Sequence, residues 1–187
     1  MLSVEEKIIL LDEVASTARS SWQIYLASHA HFSNWPAEDR HNPAYLGYRN
    51  LENLLSVSLM TACYALVETG KRSYSLHHAV SDATLRVSSE VRMNCANCFV
   101  LRSKIAKYRN NVVAHVNASR TQSKWAQAAG LVNSEIDDFL FNARAAVEGL
   151  SRDNLEDDFV AGVTRPVQGE FRAFCREIAK LEPKREH

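Results

Sequence analysis

The sequence predicts an all-α fold, an up-and-down bundle of roughly five to seven helices, on three observations. Apolar residues recur three and four positions apart over several long stretches, with almost no strict alternation of the kind that marks a half-buried strand. Only 6 Gly and 4 Pro punctuate the 187 residues, too few for the closely spaced turns of a β-sandwich or barrel. A composition of 46% hydrophobic and 24% charged residues is that of a globular domain able to bury a core, and the length suits one domain over 1–187.

The first helix starts at a capping-box pattern, Ser3 with Glu6, and carries its stripe through Ile8, Leu11, Ala15, Ala18, Trp22 and Leu26. From Ser33 to Pro43 the residues Asn34, Pro36, Asn42 and Pro43 disfavour regular structure and predict an exposed connection. A second helix is expected from Tyr45 to Thr69. Its later half, Leu54–Val67, is apolar on almost every side, and Gly70 is placed to end it. A short helix within 75–86 follows. From Ser88 or Ser89 the periodicity resumes toward His115, with a break expected near Asn94–Asn97. Beyond Gly130, Ser134 is placed to cap a helix with the stripe Ile136, Leu140, Ala143, Val147 and Leu150. An acidic linker is expected from Ser151 to Gly169, and a last helix would bury Phe171, Phe174, Ile178 and Leu181 before Pro183.

The chain carries 22 basic and 22 acidic residues, yet the neutral total conceals blocks of one sign. Between Lys71 and Arg120 stand nine basic residues against Asp82 and Glu90, a local balance of +7. Residues 1–70 and 133–160 are acidic. The middle of the chain is therefore the region suited to an anionic partner such as RNA. No signal peptide is read at the N-terminus. Leu54–Val67, the most apolar stretch, is shorter than the ~20 residues of a bilayer span, so no membrane partner is expected. Cys63, Cys95, Cys98 and Cys175 each fall in a helix-like stretch and read as small core residues in a reducing, cytoplasmic setting.

The stretch Leu101–Val116 reads LRSKIAKYRNNVVAHV, with Leu101, Ile105, Tyr108, Val112 and Val116 forming one helical stripe. At about 100° per residue, Arg109 and His115 fall on opposite edges of that stripe, with a rise of about 9 Å between them. A direct contact within one chain is awkward at that separation. Two copies meeting through their stripes about a two-fold axis would bring Arg and His from both chains into one cleft.

Arg109-Asn110-Asn111-Val112-Val113-Ala114-His115 resembles the Arg-(four to six residues)-His motif of the HEPN superfamily, in which a polar residue such as Asn110 commonly follows the arginine. A basic helix late in an all-helical domain is most similar to the branch linked to the abortive-infection protein AbiU. The resemblance covers the region from the second helix to about Leu150, and outside the motif it is one of helical layout. It implies a HEPN-like bundle dimerising through the motif helix. It also implies a metal-independent endoribonuclease acting on RNA in a defence or toxin–antitoxin setting, restrained by an antitoxin or regulatory protein. Under that reading His115 transfers protons and Arg109 clamps the phosphate, while Asn110 orients one of them or the substrate. Arg102, Lys104, Lys107 and Arg120 contact RNA. These residue types suit the chemistry: an imidazole titrates near neutrality, and a guanidinium pairs with phosphate oxygens as charge develops. Neither role needs a metal, and no cofactor is expected. The alternative is a non-catalytic HEPN module binding a partner protein, nucleotide or RNA.

Other patterns point to packing or surface roles. Cys95-Ala-Asn-Cys98 has the spacing of half a zinc site but lacks a second close pair, and no Glu-x-x-His pairs are present for a di-iron centre. His29, His31, His77 and His78 read as surface or capping residues. Tyr108 reads as core, and Trp125 as an exposed platform or a packing residue. Phosphate loops and nucleophile elbows are absent.

Overall fold

The computed structural model describes residues 2–32, 43–70, 73–114 and 129–155. Among these, six helices and no strand occur: α1 (Val4–Phe32), α2 (Pro43–Val67), α3 (Leu76–Ser81), α4 (Ser89–Val100), α5 (Arg102–Ala114) and α6 (Asn133–Asn154). Helix α1 packs on both α2 and α6, α4 packs on α6, and α5 packs on α2, so the chain forms the all-α bundle that its periodicity predicts.

The N-terminal capping box is formed on both sides. The Ser3 N–H donates to Glu6 Oε2 at 2.7 Å, and the Glu6 N–H donates to Ser3 Oγ at 3.1 Å. Of the α1 stripe, Ile8, Leu11, Ala18 and Trp22 are buried and Ala15 packs against the core, whereas Leu26 is 38% exposed. The stripe drifts around the helix toward Tyr25 and Ser28, because a heptad-like repeat does not stay in register on a 3.6-residue helix. Trp22 Nε1–H donates to Asp137 Oδ1 at 2.6 Å, tying α1 to α6.

Helix α2 is buried mainly from Leu59 to Val67, but not on every side as the sequence predicts: Leu54 is 67% exposed, Thr61 is exposed, and Tyr64 and Ala65 are half-buried. It ends at Val67 rather than Thr69, and Gly70 does not terminate it. Just past that end the Ser75 hydroxyl donates to the Glu68 carbonyl at 2.6 Å, and the Ser73 hydroxyl donates to Glu68 Oε2 at 2.7 Å.

Lys7 is buried, and its Nζ lies 2.8 Å from Asp82 Oδ2 and 2.9 Å from Thr84 Oγ1. Tyr74 donates its hydroxyl proton to the same carboxylate at 2.9 Å. The Lys7 hydrogen bond, followed by those of Thr84, holds the Asp82 carboxyl far below the ordinary aspartate range. This cluster fastens the first turn of α1 to the connection between α3 and α4.

Ser88 caps α4, its Oγ accepting from the Val91 N–H at 3.4 Å. The expected break at Asn94–Asn97 does not occur. Helix α4 runs through it to Val100, since Asn94 is accommodated in the buried interface and Asn97 Nδ2–H donates to Asn142 of α6 at 2.9 Å. The break falls instead at Leu101, whose N–H turns back to the Cys98 carbonyl at 3.2 Å before α5 begins. Cys63, Cys95 and Cys98 are core residues, each no more than 1% exposed.

Gly130, at φ +66, sits in the left-handed region favoured by glycine and turns the chain toward α6. Ser134 is not the cap: α6 begins at Asn133, and Glu135 Oε2 accepts the Val132 N–H at 3.1 Å. The stripe Ile136, Leu140, Ala143, Val147 and Leu150 is buried as expected, joined by Phe139 and Ala146. The helix extends to Asn154, into the stretch expected to be linker. There Asn154 Oδ1 accepts the Arg86 N–H at 2.7 Å, and Asp153 Oδ2 accepts the Ser88 N–H at 3.2 Å. The polar end of α6 thus supplies acceptors to the chain entering α4. The expected C-terminal helix at Phe171–Leu181 lies outside the described residues.

Candidate functional site

Helix α5 is held to α2 by Leu101, Ile105 and Tyr108, all buried. Leu101 and Ile105 meet Met60 and Cys63, whereas Tyr108, a turn further on, lies beside Ser56, a turn earlier in α2. The two helices therefore run antiparallel. Burial raises the Tyr108 phenol pKa, and the hydrogen bond with Ser56 offsets part of the shift.

One residue beyond Tyr108, Arg109 sits at the edge of this contact and is half-buried. Long helical side chains lean toward the helix N-terminus. Directed that way, Arg109 reaches the Tyr64 ring of α2, its guanidinium carbon 4.9 Å from the ring centroid. Nη1 donates to Asn110 Oδ1 at 3.3 Å. Nε is buried and, among the described residues, has no hydrogen-bond partner. An unsatisfied buried donor costs about 1–3 kcal/mol, while a partly desolvated cation–π contact returns about 1–2 kcal/mol. The guanidinium is thus held in a nearly balanced state, and no described carboxylate neutralises it.

The other predicted residues divide clearly. Asn110 is exposed beside Arg109, and Lys107 is exposed one half-turn before it. Arg102 donates from Nη2 to Thr69 Oγ1 at 2.7 Å, at the end of α2. Lys104 is committed to Glu135, 2.5 Å away at the start of α6, so its charge is partly cancelled and less available to an anion than that of Lys107. That pairing, followed by the bond from the Val132 N–H, lowers the Glu135 pKa. His115 and Arg120 lie outside the described residues, as does Trp125.

Tyr64 is the contributor that sequence reasoning missed. Its only signal was a phenol placed in the apolar run of α2, and its partner depends on the register between two helices.

His29 and His77 are exposed and His78 is half-buried, whereas the side chain of His31 lies outside the described residues. His29 Nδ1 lies 3.4 Å from Glu52, and His78 Nδ1 shares a hydrogen bond with Ser75 Oγ at 2.9 Å. His77 meets the Phe99 ring edge-on. Among the described residues no three His, Cys, Asp or Glu side chains gather as a metal site, and no helix is long and apolar enough to cross a membrane. Burial pushes the thiol of Cys95 up to about 11 and that of Cys98 up to about 12. A cleft of about 560 Å³ runs between α1 and α6 past Trp22, Leu26, Asp137, Phe141 and Arg144, and no residue of the Arg109 cluster lines it. No protein-family model, no curated protein and no solved structure matches this chain.

Proposed function

We propose that the chain is a HEPN-type, metal-independent endoribonuclease acting on RNA in a defence or toxin setting, its composite active site formed at a homodimer interface near α5. Since Leu101, Ile105 and Tyr108 of the stripe are buried on α2 within the chain, the two copies meet through another face of this region. The observation that supports this reading best is Arg109 itself. It opens the Arg-(five residues)-His motif on a helix of an all-α bundle, and its guanidinium is held by a ring and an amide rather than by a carboxylate. A charge kept in this way is available to a phosphodiester.

In the proposed mechanism His115 removes the proton from a ribose 2′-hydroxyl or returns one to the leaving oxygen, and Arg109 stabilises the charge developing on the phosphate. Asn110 fixes one arm of the guanidinium. Lys107, Arg102 and Arg120 bind the RNA backbone. The proton transfer and charge stabilisation assigned to this pair are complete without a metal.

The test is cleavage of RNA by purified protein in the presence of a chelator, with light scattering to give the mass. A dimer of 21.0 kDa chains is expected. His115→Ala should slow turnover by about 10²–10⁴-fold with RNA affinity nearly intact, and Arg109→Ala should lower both. A strict monomer removes the composite site. A dimer that cleaves no RNA, together with cellular toxicity that survives His115→Ala, replaces the enzyme with a binding module.

A further inference from the structure

We infer that Tyr64 is a positioning residue for Arg109: its ring holds the guanidinium in place without neutralising it, leaving the η N–H donors to meet a phosphate oxygen. The inference rests on the ribonuclease reading only in naming RNA as the source of that phosphate.

Three observations combine. First, both described contacts of the guanidinium are with neutral partners, the Tyr64 ring at 4.9 Å and Asn110 Oδ1 at 3.3 Å. Among the described residues Arg144 and Arg152 pair with carboxylates, Glu148 and Glu90, whereas Arg92 and Arg102 donate to neutral oxygens of Val80 and Thr69; Arg109 differs from both groups in lying over an aromatic face. A carboxylate would hold Arg109 too, but it would fill the fork of N–H donors and cancel the charge. An aromatic face attracts the cation through its quadrupole and accepts no strong hydrogen bond from the edge.

Second, Nε is the buried side-chain polar atom that lacks a partner among the described residues. Together with an η nitrogen it forms the edge of the guanidinium that matches two oxygens of a phosphate. In this arrangement Nε is closed to solvent, so a phosphate oxygen meets the η nitrogens first and reaches Nε only as the side chain turns outward.

Third, the holder is rigid. Tyr64 projects from the most buried part of α2, next to Cys63 and one turn after Met60, where both neighbours are fixed in the core against α5. The ring therefore moves with the bundle, and it limits the freedom of a long side chain before any ligand arrives.

The experiment reads Arg109 directly. In ¹⁵N-labelled full-length protein, its Nε–Hε resonance is assigned by its loss in Arg109→Lys. The expected result is an upfield ring-current shift in the wild type that persists in Tyr64→Phe and vanishes in Tyr64→Leu. Inorganic phosphate should move this resonance in the wild type and Tyr64→Phe, and bind at least about threefold more weakly to Tyr64→Leu. With RNA as substrate, Tyr64→Leu should lower kcat about tenfold, and Tyr64→Phe should retain the wild-type rate. Tyr64→Gln, similar in length but without the ring, serves in place of Tyr64→Leu if that chain does not fold.

A resonance without ring-current shift in the wild type overturns the proposal. So does unchanged phosphate affinity in a folded variant lacking the ring, or an unchanged kcat in that variant. If the wild type cleaves no RNA, the ribonuclease reading falls by itself, and the shift and phosphate titration still decide the role of Tyr64.

Discussion

Replacing Gly149 with alanine sets a gain in helix propensity against a steric clash, and the structure decides the sign. A Cβ at Gly149 would stand 2.5 Å from Val91 Cγ2 across the α4–α6 contact, a distance real methyl groups essentially never reach. Val91 is 0% exposed and β-branched, with one strongly favoured rotamer on a helix, so its methyl cannot turn away. The helices must separate instead. Overpacking of this kind costs about 1–3 kcal/mol, while alanine in place of glycine inside a helix recovers about 1 kcal/mol. Gly149→Ala should therefore leave the chain less stable by up to about 2 kcal/mol, never more stable. Val91→Ala alone should cost about 1.6 kcal/mol for two buried methyl groups. In the double variant the two losses should fall short of their sum by about 1 kcal/mol, because the new methyl occupies space that the valine vacates. Urea unfolding followed by circular dichroism measures all four chains, with unchanged m-values confirming that stability alone has moved. A Gly149→Ala chain more stable than the wild type, or losses that add within about 0.5 kcal/mol, would refute the close-contact account.

Further outcomes follow from the polar anchors and the core thiols. Lys7→Met leaves the partly exposed Asp82 carboxylate with only its Thr84 and Tyr74 donors and should cost about 1.5–3 kcal/mol at neutral pH, the range for a lost hydrogen bond to a charged group. Because pairing depresses the folded-state pKa of Asp82, its contribution is complete well above the ordinary value of 3.8 and is lost as pH falls below it, so the gap between wild type and variant should narrow in acid. Denaturant titrations at neutral and acidic pH check this. Cys63, Cys95 and Cys98 should resist a thiol reagent in native protein and react on unfolding, since burial both shields them and raises their pKa values. Asp137→Ala should cost about 1.5–3 kcal/mol through loss of the Trp22 hydrogen bond, which thermal unfolding would register.

What could be read from the sequence was whatever one helix decides for itself. The Ser3–Glu6 box is a local exchange between residues three apart, and it forms as its spacing requires. The stripe of α6 is buried at each position its period marks. The edge placement of Arg109 likewise follows from the turn of α5 alone. Features that depend on a second helix were hidden. Asn94–Asn97 has the composition of a break, yet Asn142 of α6 provides the amide that keeps Asn97 within a continuous helix. The end of α6 looks like linker until the backbone N–H groups of Arg86 and Ser88 appear as its partners. Tyr64 belongs to the same class, since a tyrosine in an apolar run gives no indication that a guanidinium will lie over its face.

The anchors of α1 also constrain how the chain can be made. Lys7 waits for Thr84, 77 residues later, and Trp22 waits for Asp137, 115 residues later. At a synthesis rate of 5–20 residues per second, Trp22 leaves the peptidyl-transferase centre about 6–23 s before its acceptor is even polymerised. During that interval α2 can cover one side of α1, but the side destined for α6 has nothing to rest on. Helix α1 is thus translated long before it is completed, and a nascent chain paused before Asp137 displays an indole open to a holding chaperone.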